Sequence, residues 1–184
     1  MSDAPVVPNF GDDTDSSGPR KMCFICSKGN LDMAYPALIM GNAALGEGCE
    51  VHIFFTFWGF DMINKATMDK LKFTFAGNTA MHMNDLDRLR PGLGAMSMPQ
   101  TLGVLPGMTS IATKMMNKQL KDLDIPTVPE MLEQIQASGG HLWGCQLSAD
   151  MMKLTMDDLY EGVEGIISAA DFIELSEGAQ IVFI

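Results

Sequence analysis

The sequence predicts an α/β protein: a three-layer α/β/α sandwich around a mainly parallel sheet of about five strands. Three observations predict it. Short, near-continuous apolar runs recur along the chain, which is how strands buried on both faces read. An amphipathic segment separates the first two of them, so the chain opens as strand, helix, strand, a βαβ unit. The composition, 47% apolar and 19% charged over 184 residues, allows a sizeable core within one domain.

The elements follow in order. Residues 1–20 are rich in Asp, Ser, Pro and Gly, with Asp12, Asp13 and Asp15 close together, the composition of a disordered acidic tail. A single domain is expected over 21–184. Met22–Ser27 reads as a buried strand ending at Lys28-Gly29-Asn30. Asn30 or Asp32 caps a helix from Met33 to about Leu45, with Pro36 near its first turn and Gly46 and Gly48 as its stop. Val51–Phe57 is a second strand, rich in β-branched and aromatic residues. Beyond Trp58-Gly59 the pattern loosens. Residues 60–72 read as helical, with a third candidate strand near Leu71–Phe75.

Residues 77–108 read as an insertion or long loop. Nine of the chain's 17 methionines fall between residues 62 and 116. Two helices follow, Thr109–Leu123, capped by Thr109 or Ser110, and Thr127–Gln136, with Pro129 near its start and Gly139-Gly140 after it. His141–Cys145 is a strand, and Ser148-Ala149-Asp150 begins another helix. A short helix at Asp157–Glu161, a helix at Ser168–Ser176 and a closing strand at Ala179–Ile184 complete the chain. No internal repeat, GxGxxG or P-loop pattern occurs.

The net charge is −11. Such a surface disfavours nucleic acid and anionic membranes, and an anionic small ligand needs a local positive site. Four cysteines do not make a secreted disulfide scaffold. The start, MSDAPVVPNF, has no basic or apolar signal region, so a cytoplasmic location is the expectation. Residues 91–113 carry no charged side chain, a length that could cross a bilayer. They also hold Pro91, Pro99, Pro106, Gly92, Gly94, Gly103 and Gly107, too many breaks for a spanning helix. A docked or mobile loop is the expectation, with peripheral membrane association as the remaining membrane reading.

Cys23 and Cys26 form a CxxC, but they lie in the first strand rather than on a helix. Three residues of strand span about 10 Å, and odd spacing sends the thiols to opposite faces, which excludes a disulfide. No second CxxC completes a zinc site. Cys23 reads as core; Cys26 is more open, near the strand's C-terminal end. Cys49 reads as structural. Cys145 differs: it ends a strand and precedes a helix capped near Ser148, where unpaired amides favour a thiolate. Ligands of open α/β sheets bind at the carboxyl ends of strands. That edge collects Cys26, Ser27, Lys28 and Gly29 from the first strand, Thr56, Phe57, Trp58 and Gly59 from the second, and Cys145. Lys28 is the candidate cation for an anionic ligand, and Trp58 either packs or walls the pocket. His141 shares a face with Cys145 but stands four strand residues away, about 13 Å.

With these residues in view, KMCFICSKGNLDMAYPALIMGNAALGEGCEVHIFFTFWGF and GCQLSADMMKLTMDDL resemble the DsrE/DsrF/DsrH-like sulfur-relay family. The resemblance is closest to its DsrE-like branch with a methionine-rich insertion, and it covers about residues 21–184. The FFTFWGF strand end and the Cys-x-x-Ser of Cys145 and Ser148 carry it. The resemblance implies a DsrE-like α/β/α sandwich, homo- or hetero-oligomers, and sulfur trafficking without a metal or other cofactor. Cys145 matches the family's relay position, where a cysteine carries sulfane sulfur as a persulfide or thiosulfate as a thiosulfonate. Rhodanese-like or TusA-like carriers are the implied donors and acceptors. The label peroxiredoxin attaches to this branch, yet no Pro-x-x-x-Thr-x-x-Cys run exists here. The first-strand CxxC departs from the family pattern and leaves open whether Cys26 works with Cys145.

The resulting expectation is a sulfurtransferase-like carrier. Cys145 takes sulfur from a donor such as tetrathionate, polysulfide or a partner persulfide, with Cys26 as second candidate. Lys28, Ser27, Gly29, Trp58, Gly59 and Ser148 are the candidate substrate-binding residues. The alternative is a non-catalytic oligomeric binding or adaptor protein, in its peripheral-membrane form using residues 91–113.

Overall fold

Five strands form in the computed structural model: β1 (Lys21–Cys26), β2 (Glu50–Phe55), β3 (His141–Cys145), β4 (Val163–Ile167) and β5 (Gln180–Phe183). All pair in parallel, in one sheet of order β4-β3-β2-β1-β5. The helices are α1 (Leu31–Gly46), α2 (Met108–Asp122), α3 (Val128–Ala137), α4 (Gln146–Met152) and α5 (Ala169–Leu175). The structure describes residues 18, 20–79, 81–82, 87, 90–92, 94–97 and 99–184. Nearly all of the expected acidic tail, and part of the 77–108 stretch, lie outside the described residues.

Topology places the helices. From β1 through β2 to β3 the chain steps in one direction, so right-handed crossovers put α1 and α3 on the same face. There α1 packs closely over Val51 and Ile53: a Cβ on Gly41 would meet Ile53 Cδ1 at 3.3 Å. The return from β4 to β5 reverses direction and carries α5 to the other face, where Phe172 stacks on Phe54 with ring centroids 4.3 Å apart. Cys23, Phe24, Val51, Ile53 and Phe55 of the two central strands are fully buried, as covered parallel strands require. Among the described residues, no helix is long and apolar enough to cross a membrane.

The sequence expectation misplaced one strand and missed another. Leu71–Phe75 is not in the sheet. Its backbone is taken up elsewhere: the Leu31 amide donates to the Lys72 carbonyl at 3.0 Å, and the Phe73 and Thr74 amides donate to Thr113 Oγ1 and Asp32 Oδ1. The fifth strand is instead β4, whose apolar run is broken by Glu164 and Gly165. It is an edge strand, so Glu164 reaches solvent, and Gly165 lies opposite Trp143. The helix expected over 60–72 is a 3-10 turn at Phe57–Met62 followed by further turns. Helix α1 starts two residues earlier than expected, which moves Pro36 into its second turn. The N-cap of α2 is Gly107 in the left-handed region, φ 87°, rather than Thr109 or Ser110.

Two glycines lock the strand ends together. A Cβ on Gly59 would fall on the Cys26 carbonyl oxygen, and one on Gly29 would fall on the Trp58 carbonyl oxygen and meet Asp61 Cβ at 2.7 Å. The loop after β1 and the turn after β2 therefore touch backbone to backbone, and the Thr56 amide donates to Cys26 O at 2.9 Å across the same seam. Gly59→Ala is expected to destabilise the fold by about 2 kcal/mol or more, since overpacking against rigid backbone costs at least what it costs in a core. Chemical denaturation checks this; a loss below about 0.5 kcal/mol, the scatter of neutral surface changes, sinks the interlock.

Candidate functional site

The strand β3 runs directly into α4, and Cys145 is both its last residue and the N-cap of the helix (φ −78°, ψ 125°). The sequence expectation started this helix near Ser148; it starts at Gln146. Ser148 is therefore a buried residue of the first turn rather than a cap. This shift decides its role. Its hydroxyl accepts a hydrogen bond from the Phe57 amide at 2.7 Å and lies 3.3 Å from the Thr56 hydroxyl. Register explains the meeting: β2 and β3 are neighbours, Phe55 pairs with Gly144, and so the turn after β2 lands beside the first turn of α4.

Phe57 pays a conformational cost to make this contact. Its φ is 45°, in the left-handed region, a placement that costs an aromatic residue about 1–2 kcal/mol. The bond to Ser148 and the Gly59 amide's 2.9 Å bond to Thr56 O hold the turn in place.

The sulfur environment follows. Cys145 is 7% exposed. Burial raises its pKa, but the Ser148 amide, the Thr56 and Ser148 hydroxyls and the Leu147 amide all favour the thiolate, and the balance falls below the usual thiol value. The causes of this shift are burial and hydrogen bonds. Of the ionisable side chains on the elements packed against α4, Glu164 is held by His141 at 2.6 Å and Asp61 Oδ1 by the Thr67 hydroxyl at 3.5 Å, while Asp150 on α4 itself accepts from Gln146.

The other expected site residues do not converge on this sulfur. Cys26, expected to be the more open of the first-strand thiols, is 1% exposed, and burial pushes its thiol up to about 12. It also belongs to the opposite parity of the sheet, in line with Phe55, and β2 stands between β1 and β3. The Ser27 hydroxyl donates to Ile184 O at 3.0 Å, on the β5 side. Lys28 is exposed at the end of β1, two strands from β3, and exerts no resolved influence on the thiol. Gly29 and Gly59 serve the backbone seam. Trp58 stands 63% exposed on the turn beside α4. His141 stacks on His52 with centroids 4.7 Å apart, the wrong end of the strands for Cys145. Thr56, a strand-end residue outside the candidate binding set, is the functional group that sequence reasoning undervalued.

Among the described residues no group of three or more His, Cys, Asp or Glu is arranged to hold a metal ion. A cleft of about 860 Å³ lies elsewhere, between α1, α2 and α3, lined by Tyr35, Met68, Leu120 and Glu133; Cys145 does not line it.

Comparison with known proteins agrees with the family resemblance. Residues 19–184 match the model of the DsrE/DsrF/DrsH-like family. The chain is 32% identical over 163 residues to the sulfur carrier protein DsrE2 of Allochromatium vinosum, covering 88% of this chain and 96% of that protein. It is 26% identical over 165 residues to the uncharacterised protein YrkE of Bacillus subtilis, covering 90% and 97%. Among solved structures, it shares its fold with MTH1491, a protein of unknown function from Methanobacterium thermoautotrophicum. That match has a TM-score of 0.51 and 8% identity, over 90% of this chain and 99% of the other.

The contrast between the two strand-end thiols is measurable. At neutral pH iodoacetamide is expected to label Cys145 first, with Cys26 and Cys23 protected until denaturant is added, because the lowered thiol holds more thiolate at that pH and the raised ones hold almost none. Peptide mapping of the first adduct checks this; first labelling at Cys26 contradicts the site.

Proposed function

The chain belongs to the DsrE/DsrF/DrsH-like family, and from that membership we propose that it is a sulfur-trafficking protein that carries sulfane sulfur or thiosulfate on Cys145. The single observation that carries this reading is the set of neutral donors around the Cys145 sulfur, which favours an anion where sulfur chemistry needs one.

The steps balance without a redox partner. The Cys145 thiolate attacks the outer sulfur of a donor persulfide. A new S–S bond forms on Cys145, the donor's S–S bond breaks, and the electron pair leaves with the donor thiolate, which takes up a proton. With tetrathionate, attack on an inner sulfur leaves a thiosulfate-derived group on Cys145 and releases thiosulfate. An acceptor thiolate then attacks the carried sulfur and restores Cys145.

Partner proteins supply and receive the sulfur in this reading. Phe57, Trp58, Leu147 and Met151 are exposed apolar side chains on the turn after β2 and on α4, next to the thiol. They offer apolar contact, which suits a chain of net charge −11 that repels other acidic surfaces.

Intact mass spectrometry after incubation with tetrathionate or polysulfide tests the reading. Wild type is expected to gain a sulfur adduct removable by dithiothreitol, and Cys145→Ser to gain none. If the wild type takes up no adduct, the carrier reading fails. If Cys145→Ser loads normally and Cys26→Ser does not, the sulfur travels on the other strand end.

A further inference from the structure

Thr56 and Cys145 each follow the Phe55–Gly144 pair on neighbouring strands, and Ser148 lies in the first turn of the helix that Cys145 caps, so two hydroxyls stand beside the thiol and their protons can be counted. Each hydroxyl owns one proton and two lone pairs. Ser148 Oγ spends one lone pair on the Phe57 amide, which can only donate. The Ser148 proton is then left for Thr56 Oγ1 or for the sulfur. Among the described side chains the Thr56 proton has the same two destinations in reverse, Ser148 Oγ or the sulfur, and Thr56 itself is half-buried. Among the described residues no other side-chain partner of the Thr56 hydroxyl is found. Ser148 is 1% exposed, so water does not compete for its proton.

We propose that Thr56 is a catalytic residue of the Cys145 site: with Ser148 it forms a two-hydroxyl switch that turns its protons onto the sulfur when the sulfur is an anion. The Phe57 amide is the positioning group, acting through Ser148. In the thiol state one hydroxyl donates to the other along the Thr56–Ser148 contact, the S–H donates to a hydroxyl oxygen, and the second hydroxyl proton lies on the sulfur side. When the thiol proton leaves, the hydroxyl that spanned that contact rotates about its C–O bond, so that both hydroxyls donate to sulfur. The same rotation serves the leaving step, in which Cys145 regains its negative charge as an acceptor takes the carried sulfur.

This switch needs no ionised neighbour. Asp61 on the Phe57–Met62 turn, Asp150 on α4, Glu164 on β4 and His141 on β3 are each bonded elsewhere, and Lys153 is the exposed C-cap of α4. The chemistry served is that of the preceding subsection, so the proposal rests on Cys145 as the sulfur-bearing residue. The switch itself is read from an assay that involves no sulfur transfer.

The test is the pH dependence of single-site alkylation of Cys145 in the full chain, followed by peptide mapping. A hydrogen bond to a charged group is worth enough to move a pKa by about one unit. Thr56→Val, which keeps the shape and loses the hydroxyl, is expected to raise the midpoint by about that one unit. Thr56→Ser, which restores a hydroxyl, is expected to return it to the wild-type value. Phe57→Gly keeps the amide and tolerates the left-handed backbone, so its midpoint is expected to stay at wild type; a shift as large as that of Thr56→Val overturns the amide's part.

A Thr56→Val protein that melts normally and titrates like wild type overturns the proposal. So does a Thr56→Ser protein that titrates like Thr56→Val, since shape rather than the hydroxyl then matters. If Thr56→Val does not fold, the wild type alone decides: a midpoint at or above the free-cysteine value of about 8.5 means that no donor set favours the anion. Failure to load sulfur from tetrathionate defeats the carrier reading and leaves these midpoints unchanged, so the two fail separately.

Discussion

The hydrogen bond from the Phe57 amide to the Ser148 hydroxyl carries the β2–β3 pairing past the strand ends and ties the turn after β2 to the first turn of α4. On one side it holds a left-handed turn after β2, and on the other it anchors the first turn of α4. Cys145 is the N-cap of that helix, so anchoring the turn places the sulfur among its donors. Ser148 is buried, and a buried polar group left without its partner costs about 1–3 kcal/mol, which makes the contact one that the fold cannot give up cheaply. The glycine seam beneath it serves the same end. Gly59 lies against the Cys26 carbonyl, and Gly29 against Trp58, so the turn that carries Thr56 and Phe57 has little room to shift.

The sheet also sets up a chemical contrast. Cys26 and Cys145 both end parallel strands, and burial raises the pKa of each. What separates them is hydrogen bonding. Cys26 meets apolar core, where burial holds its thiol up, whereas Cys145 meets amide and hydroxyl donors. Dipolar donors achieve this without a cation, which matters in a chain whose net charge is −11. Lys28, the cation that charge balance suggests, stays exposed two strands away. Neutral donors also act at short range, so salt screens them less than it screens a surface ion pair.

Several elements were legible because their signals are local. The first two strands and β3 are continuous apolar runs, and α3 carries a full capping box with Thr127 and Glu130. Other elements were not. Leu71–Phe75 has the composition of a strand, but its amides find side-chain acceptors on α1 and α2, and composition says nothing about where a backbone donor ends up. The strand β4 hides behind Glu164 and Gly165, because an edge strand needs only part of an apolar run. The sequence count of about five strands was met with one member exchanged for another.

The sequence by itself determined the α/β class, the placement of Cys145 at a strand-to-helix junction, and the family to which the chain belongs. Those are properties of local periodicity and of short motifs, written in neighbouring residues. Only the tertiary structure decided that Thr56 and Ser148 meet beside Cys145, that Cys26 is sealed, and that Gly29 and Gly59 lie against the backbone of the neighbouring strand end. Each of these depends on the register of strands far apart in the chain. Shifting a strand by one residue would send its side chains to the opposite face, and no local pattern records which neighbour a strand end will meet.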